Sequence, residues 1–249
     1  MSGHSKWASI KHKKGAADAK RGKLFSKLAR AIIVAARDGG GDPDGNPTLA
    51  TAIQKARDAS MPKDNIQRAI DRGTGASGDA EAIEQIVFEG YGPGGAAILV
   101  DALTDNRNRT TADVRLAFTK HNSSLGEPGS VAWIFEKRGV VVVDGSRYGE
   151  DDLITAIDAG AEDVREDGGL LRVISAPSAL AKVREALEGS DVEIQSADVV
   201  IEPKSTVEVK GSDAKSLLNL IETLEEHDDV SEVHANFDIP EEILESVIA

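Results

Sequence analysis

The first third of the chain repeats apolar residues with the period of an α-helix. At about 100° per residue, the apolar side chains of the helix predicted over residues 16–37 fall within one half-turn: Leu24, Phe25, Leu28, Ala31, Ile32 and Ala35. Three glycines and Asp42-Pro43 end this helix, because glycine terminates a helix easily and proline cannot continue one. Two shorter helices follow, opened by Pro47 and Pro62. Together the three predict a small helical bundle.

The period changes beyond the linker-like stretch GASGDA at residues 75–80. Two apolar runs, IEQIVFEG and AAILVDALT, are predicted strands on either side of YGPGG, which we interpret as a hairpin turn and not as a phosphate-binding loop. A helix is predicted over residues 113–121. From residue 139 the order is strand, helix, strand, strand, helix, strand, which is the order of a ferredoxin-like domain and fills residues 139–203.

The segments on either side of this module hold too few strands to form separate domains. Joined, residues 79–136 and 204–249 make one α+β unit into which the module is inserted. The predicted fold class is therefore multi-domain, α and α+β. The predicted domains are a basic N-terminal arm with a three-helix bundle (1–78), a discontinuous α+β domain (79–136 plus 204–249) and an inserted ferredoxin-like domain (137–203).

Charge is distributed very unevenly along the chain. The formal net charge is −14, yet residues 1–30 hold nine Lys and Arg against one acid, while residues 76–249 hold 14 bases against 36 acids. No acid lies between Asp18 and Asp38, so the side of the first helix opposite its apolar face is predicted to be cationic and outward. Because such cations neutralise phosphates and release counterions, we predict that this region binds nucleic acid. The predicted binding residues are Lys6, Trp7, Lys11, His12, Lys13, Lys14, Lys20, Arg21, Lys23, Lys27 and Arg30.

Several of these assignments have structural alternatives. A cationic helix face can be a merely solvated surface, although such surfaces usually mix charges of both signs. Trp7 either stacks on a base or anchors the arm to the bundle, and the sequence does not separate these roles. Arg107 and Arg109, in LTDNRNRT, are secondary candidates that either grip phosphate or pair with a local carboxylate such as Asp101 or Asp105.

The bundle lacks the sequence features of a helix-turn-helix reader. The connection GGGDPDGNP is longer than the tight turn of that motif. The third helix mixes bases with acids: Lys63, Asp64, Arg68, Asp71 and Arg72. We therefore expect recognition of backbone or shape, which suits structured RNA at least as well as duplex DNA.

The ferredoxin-like module has the same order of elements as RNA-recognition domains. It has a single aromatic residue, Tyr148, and none on the strand LLRVIS that would carry the stacking side chains. We predict that its sheet does not bind RNA and that it serves in protein contact or self-association. A homodimer would double the basic ends and permit avidity.

No enzymatic site can be assembled from these residues. The absence of cysteine excludes disulfides, thiolate zinc sites, iron–sulfur clusters and a cysteine nucleophile. The five histidines do not pair at metal-ligand spacing, and no Gly-x-Ser-x-Gly elbow occurs. DPDGNP lacks the later glutamate that completes a calcium loop. The prediction is a protein that is not an enzyme and uses no metal or cofactor.

The same sequence bears on location. No apolar run reaches the length of a membrane span, and Lys and His occupy the N-terminal positions where a secretory signal has its apolar region. An organelle transit peptide is disfavoured because such peptides are rich in Arg and Ser, whereas this start is rich in Lys. We therefore predict a cytoplasmic protein without a membrane partner.

A string of motifs across nearly the whole chain resembles the YebC family. These are GHSKW, KHKK, AKRGKLFSKLAR, AAR.GG.DP..NP, MPKDNIQRAI.RG, EGYGPGG, LTDNRNRT and GSVAWIF, in the order and spacing of that family. The resemblance implies a helical bundle followed by two α+β domains, one inserted in the other. Bacterial members are named as probable DNA-binding transcriptional regulators. Mitochondrial relatives act as translational activators of cytochrome c oxidase, and some bacterial ones look like ribosome-associated factors.

Charge and resemblance together predict a non-enzymatic regulator of gene expression that binds nucleic acid. The leading hypothesis is a DNA-binding transcriptional regulator. The alternative is a translation factor that binds the ribosome through ribosomal or messenger RNA, either activating translation or relieving stalled ribosomes. A third hypothesis takes the ferredoxin-like module as a sensor of small molecules.

Overall fold

The computed structural model describes residues 17–76, 78 and 83–240. These residues divide into two compact units, one formed by residues 133–206 and the other by residues 17–132 with 207–240. The three N-terminal helices belong to the same unit as the sheet that the first strands begin.

The elements are numbered in chain order. The helices are α1 Ala17–Gly39, α2 Pro47–Asp58, α3 Lys63–Gly73, α4 Arg107–Lys120, α5 Ile154–Asp158, α6 Leu180–Glu188 and α7 Gly211–Glu225. The strands are β1 Glu84–Tyr91, β2 Ala97–Thr104, β3 Ser124–Leu125, β4 Phe135–Asp144, β5 Ala161–Asp167, β6 Leu170–Ser175, β7 Ile194–Pro203, β8 Val207–Glu208, β9 Val230–Ala235 and β10 Phe237–Asp238. Short 3₁₀ turns occupy Pro93–Gly95, Ala132–Ile134, Glu150–Leu153 and Pro177–Ala179.

Helix α1 is buried on all sides over part of its length. Every residue from 32 to 36 is buried. This includes Val34, although the helical period puts it on the side opposite the apolar face, which was predicted to be cationic and outward. That outward assignment is wrong for residues 32–36, because α1 contacts β2 and β9 as well as α2 and α3. Ile83 and Leu103, from the sheet side, share one apolar cluster with the three helices.

Two residues hold the bundle at its tightest points. Asn46 caps α2 by accepting the Leu49 amide at 3.1 Å, and its own amide group donates to the Ala35 carbonyl at 2.8 Å. It therefore ties the end of α1 to the start of α2. Gly73 lets α3 approach α1, since a Cβ there would lie 2.4 Å from the Ile33 carbonyl oxygen.

The sheet of the larger unit has the order β3-β1-β2-β9. β1 and β2 form an antiparallel hairpin from Glu84 opposite Thr104 to Tyr91 opposite Ala97, which confirms the predicted turn at YGPGG. Both Gly94 and Gly95 have positive φ there, the region that glycine adopts freely. β9 pairs antiparallel with β2, so a strand from the end of the chain completes a sheet begun more than a hundred residues earlier.

Helices α4 and α7 cover one face of this sheet. The core between them contains Phe118 of α4, Leu217 and Ile221 of α7, and Phe237 of β10, all completely or almost completely buried. The other face meets the helical bundle through Leu103 of β2. At β2 the sheet therefore lies between two helical layers. This arrangement brings α1 close to the turn that follows α7.

The unit of residues 133–206 is a four-stranded antiparallel sheet in the order β5-β6-β4-β7. Its core joins Val141 and Val143 of β4 to Val183 and Leu187 of α6. The elements occur in the predicted order of strand, helix, strand, strand, helix, strand. Among the described residues, no helix is long and apolar enough to cross a membrane.

Candidate nucleic-acid interface

The predicted binding residues fall into three groups in the structure. The arm residues Lys6, Trp7, Lys11, His12, Lys13 and Lys14 lie outside the described residues. Lys20 belongs to the first turn of α1, and Arg21 follows it on the exposed part of the helix. Lys23, Lys27 and Arg30 lie further along α1, where they contact another part of the same unit.

Residues 21–24 of α1 are exposed to solvent. Leu24, which the helical period placed inside, is 46% exposed, so that assignment is wrong. The reason is a difference in length: α1 has 23 residues whereas α2 has 12 and α3 has 11. At 1.5 Å per residue, α1 is about 35 Å long and its partners roughly half that, so α1 extends past them.

Lys23, Lys27 and Arg30 contact the acidic turn, which we define as residues 225–229. The Lys23 ammonium donates to the Glu226 carbonyl at 3.2 Å and lies 3.7 Å from the Asp228 carboxylate. Lys27 donates to the Glu225 carbonyl and Arg30 to the Asp228 carbonyl.

The acidic turn offers these cations more than its side-chain charges. It contains the last residue of α7 and the turn that leads into β9. The carbonyl groups at the C-terminus of a helix carry partial negative charge, which adds to the carboxylates in attracting cations. The middle of the cationic face of α1 is therefore bound to the acidic turn of the same chain.

Asp229 is the buried centre of this contact. Its side chain is 2% exposed and its carboxylate lies 3.1 Å from Arg30 and 2.7 Å from Arg109. Two hydroxyl groups also donate to it, Thr110 at 2.7 Å and Thr104 at 3.2 Å. One carboxylate therefore joins α1, the end of β2 and the first turn of α4.

The environment of Asp229 shifts its pKa. Burial acts to raise the pKa of the carboxyl group, but the hydrogen bonds from Arg109 and Thr110 and the positive charge of Arg30 outweigh burial and hold the pKa below its usual value. The pKa of Arg109 is raised in return, first by its hydrogen bond to Asp229 and then by that to Asp105. Both groups are therefore charged at neutral pH.

The two secondary candidates have different surroundings. Arg109 pairs with Asp105 at 2.7 Å as well as with Asp229, so one of the local carboxylates named from the sequence is its partner. Arg107 stands at the start of α4, is largely exposed, and lies 3.9 Å from the Glu84 carboxylate. Asp101, the other carboxylate named from the sequence, is 3.6 Å from His234.

A shallow groove of about 210 Å³ runs between α1 and α3. Its floor is apolar and its lining includes two arginines of α3, Arg68 and Arg72. The acids Asp64 and Asp71, which the sequence intersperses with these arginines, do not line it. The sequence alone missed this groove, because Asp64 and Arg68 are one helical turn apart and the helical period places them on the same side of α3.

Asp229 and its threonines were also missed from the sequence. Asp229 lies 120 residues from Arg109 along the chain, and no local pattern distinguishes it from the neighbouring acids. Within the described ranges, no three His, Asp or Glu side chains converge as a metal site would require.

Two family models match the chain. The model for the TACO1/YebC N-terminal domain matches residues 5–76, and the model for the second and third domain of TACO1/YebC matches residues 83–237. The chain belongs to the YebC family. The mixed α and β architecture, with N-terminal helices followed by sheets, agrees with the crystal structure of a conserved hypothetical protein from Aquifex aeolicus. That structure is 47% identical, has a TM-score of 0.79, and the match covers 91% of this chain and 94% of the other.

Curated relatives of this YebC chain match it from end to end. A protein of Rubrobacter xylanophilus is 57% identical over 248 residues, which are 99% of either chain. A protein of Dictyoglomus turgidum is 53% identical over 249 residues, covering 99% of this chain and 100% of the relative. Each is named a probable transcriptional regulatory protein.

Proposed function

We propose that this YebC protein is a non-enzymatic regulator of gene expression that binds nucleic acid through its N-terminal arm and the first turns of α1, most simply as a DNA-binding transcriptional regulator. The observation that carries the proposal is a helix with no acid between Asp18 and Asp38, of which residues 21–24 are exposed. The names of the relatives support the regulatory role.

The contacts of α1 divide its cations into two roles. Lys27 and Arg30 bind the acidic turn and so anchor the helix to the body of the protein. The cations of the arm, together with Lys20 and Arg21, precede this anchor in the chain and are proposed to grip phosphates. Lys23 lies at the boundary, because its side chain is half exposed while it contacts the turn.

Recognition is proposed to depend on backbone and shape. The connection between α1 and α2 is folded against α1 by Asn46, and it does not form the tight turn of a helix-turn-helix motif. Six to ten phosphate contacts would make the affinity fall by about 10³ to 10⁵ between 50 and 200 mM salt.

The lack of a helix-turn-helix turn between α1 and α2 also favours a second function. A bundle without a recognition helix for the major groove suits RNA recognised by shape and through unpaired nucleotides. The alternative is therefore a translation factor that binds ribosomal or messenger RNA on the ribosome. The small-molecule sensor stays a third hypothesis, for which a screen of amino acids and nucleotides by thermal shift is the test.

Finer structural assignments belong to this proposal. We class the unit of residues 133–206 as a ferredoxin-like insertion, supported by its strand order β5-β6-β4-β7 and by the packing of α5 and α6 in one core with its sheet. The domain boundaries predicted from the sequence, a cytoplasmic location and a homodimer formed through this unit remain proposals.

The first test changes the charges that are proposed to grip phosphates. Lys11, Lys13, Lys14 and Lys20 are changed together to Glu, leaving the anchoring cations intact. The variant should lose binding to duplex DNA and to RNA while its thermal unfolding stays close to that of the wild type. A control variant changes four exposed lysines elsewhere to Glu, Lys120, Lys137, Lys182 and Lys215, and should lose much less affinity. Equal losses in the two variants would sink the proposal.

The second test decides between the two functions. The protein is crosslinked to nucleic acid by ultraviolet light in living cells, and both the DNA and the RNA are sequenced. Discrete DNA near promoters would support the transcriptional role. A few ribosomal RNA positions with DNA at background would make the protein a translation factor instead.

A further inference from the structure

The sheet in residues 133–206 has two free edges. Its order, β5-β6-β4-β7, gives β5 and β7 one neighbouring strand each, so each has a row of backbone N–H and C=O groups on its outer side. Within the described ranges, no backbone hydrogen bond from an element other than β4 reaches β7. Such a row is a template on which a further strand can pair.

Charged side chains protect the β5 edge much better than the β7 edge. Five of the seven residues of β5 are charged, and charges along an edge discourage the pairing of another strand. β7 has two acids among its ten residues. One of them, Glu202, accepts a hydrogen bond from Arg172 at 2.5 Å and so belongs to an ion pair within the sheet. The β7 edge is therefore the one open to a further strand.

The regular part of β7 is residues 196–202. The register of its pairing with β4 shifts between Ile194 and Ser196, as it does at a β-bulge. At the other end is Pro203, which has no N–H to donate to a neighbouring strand. The midpoint of the regular part is Val199.

An apolar row lies along one face of this regular part. Since successive side chains of a strand alternate between faces, one face carries Ala197, Val199 and Ile201. Val199 is opposite Gly139 of β4 and is 46% exposed. The row therefore ends the sheet with an apolar side chain in contact with solvent.

We propose that β7 pairs with β7 of a second copy of this chain, antiparallel, with Val199 opposite its counterpart. A two-fold axis at Val199 brings the whole regular part of each strand into the pairing. The two four-stranded sheets then become one continuous sheet of eight strands. The inference rests on the homodimer included in the proposed function and assigns a surface to it.

β7 is complementary to itself in this register. The three residues of the apolar row lie opposite one another across the axis, which favours pairing. On the other face Asp198 lies opposite Val200 and Glu202 lies opposite Ser196, so no two acids are directly opposed. Moving the axis by one residue would place Asp198 opposite either its own counterpart or Glu202, and like charges directly opposed are destabilising.

The net charge of the unit predicts how this dimer responds to salt. Residues 133–206 hold 16 acids and 8 bases, so two copies repel each other at long range. Because a strand edge is smaller than a standard interface, we expect a weak dimer with a Kd of about 1–100 μM. Salt screens the repulsion and should tighten the dimer, whereas it weakens the binding of nucleic acid.

The first test is analytical ultracentrifugation of the full chain at about 1 to 200 μM and at two salt concentrations. A monomer–dimer equilibrium is expected, with more dimer at the higher salt. Val199→Lys places two like charges opposite each other and should weaken the dimer at least about tenfold. The matched control, Val87→Lys, changes an equally exposed valine of β1 and should dimerise as the wild type does.

A charge-reversed pair tests whether residue 199 faces itself. Val199→Glu alone should be as monomeric as Val199→Lys, for the same reason. An equal mixture of the two variants should form dimers again, because the facing side chains then carry opposite charges. Thermal unfolding of each variant establishes that it is folded.

A disulfide tests the distance. The chain has no cysteine, so Val199→Cys introduces a single thiol. Directly opposed residues of antiparallel strands have Cα atoms about 4.5–5.5 Å apart, within the range that a disulfide spans. Mild oxidation should therefore join two copies, seen on a gel without reductant, while the control Val87→Cys should remain largely uncrosslinked.

Three outcomes would overturn the inference. If the wild type stays monomeric at every concentration and both salts, β7 does not pair with a second copy and its edge is left for a strand of another protein. If Val199→Lys and Val87→Lys dimerise equally well, the interface lies elsewhere. If the mixture of Val199→Lys and Val199→Glu stays monomeric, residue 199 does not lie at the axis.

Failure of the proposed nucleic-acid binding is distinguishable from these outcomes. The variant with Lys11, Lys13, Lys14 and Lys20 changed to Glu retains β7 and should dimerise as the wild type does. A wild-type protein that dimerises through Val199 but binds neither DNA nor RNA would support the inference and contradict the proposed binding.

Discussion

The carboxylate of Asp229 is withdrawn from solvent and paired with two arginines and two threonines. Its backbone is also used, since its carbonyl accepts the Leu103 amide at 2.8 Å and its amide donates to His227 at 3.1 Å. Removing one partner of a buried ion pair leaves the others with uncompensated charge, which costs more than the pair contributes when intact. At the scale of the residue, the position of α1 in the candidate interface therefore depends on a buried acid, Asp229, that does not itself need to contact a ligand.

Asp229→Asn should lower the free energy of unfolding by about 1–3 kcal/mol. The loss should be smaller than the roughly 3–5 kcal/mol typical of a broken buried pair, because both arginines are partly exposed and can be solvated. Urea unfolding measures it. The neighbouring change Asp228→Asn, at an exposed carboxylate, should cost less than about 1 kcal/mol. If both variants lost the same stability, burial at Asp229 would not be the cause.

The effect of Asp229 should also depend on pH in a defined direction. Its pKa is lowered by folding, so its contribution to stability is fully present above the pKa of the unfolded chain, about 3.9. The contribution is lost as the pH falls through the lower pKa of the folded state. The difference between the wild type and Asp229→Asn should therefore be constant from neutral pH to about pH 5 and shrink below about pH 4. A difference that grew on acidification would contradict this sign.

At the scale of the element, α1 combines an exposed stretch, residues 21–24, with a buried stretch, residues 32–36. Gly22 lies in the exposed part, where a Cβ would meet nothing within 4 Å. Gly73, at the end of α3, meets the backbone of α1 at the point of closest packing. Both are glycines within helices, yet a larger side chain would fit at Gly22 and would clash at Gly73.

Gly22→Ala should stabilise the protein by about 0.5–1 kcal/mol, since alanine in a helix loses less backbone entropy than glycine. Gly73→Ala should destabilise it by more than about 1 kcal/mol, because the new methyl group would overlap the Ile33 carbonyl and push the helices apart. Thermal and urea unfolding of the two variants provide the comparison. Stabilisation by both would mean that α1 and α3 are less closely packed than described.

At the scale of the whole molecule, the acidic residues 76–249 would repel the nucleic acid that the basic N-terminal region is proposed to bind. The acidic turn compensates part of the α1 charge and places carboxylates close to the proposed phosphate path. Long-range repulsion between the acidic body and phosphate would orient an approaching nucleic acid toward the basic end. Such effects weaken with salt, because exposed charges are screened.

Neutralising the exposed part of the acidic turn, with Glu226→Gln and Asp228→Asn, should tighten nucleic-acid binding a few-fold at low salt. The reason is lower repulsion of phosphate beside Lys23, and the gain should fade as salt is raised. Anisotropy titrations at several salt concentrations measure it. The control Asp151→Asn with Glu166→Gln makes the same change of charge at exposed acids of the unit of residues 133–206 and should have a smaller effect.

The order of helices and strands could be predicted from the sequence, because apolar periodicity is a local property of each segment. The hairpin at YGPGG and the element order of residues 139–203 were recovered for this reason. Leu24 and Val34 were misplaced, because their exposure depends on where neighbouring elements begin and end. A helical wheel carries no information on the length of the partners of α1 or on the sheet behind it.

The sequence by itself determined the polarised charge, the absence of cysteine chemistry and the family, since each is written in residue type and spacing. Tertiary structure decided which cations are used by the protein itself. Lys27, Arg30 and Arg109 meet acceptors more than a hundred residues away, and such pairing follows from how the chain folds back. Folding likewise placed Arg68 and Arg72 of α3 in the lining of a groove beside α1. Charge is a property of the residue, but its availability to a ligand is a property of the fold.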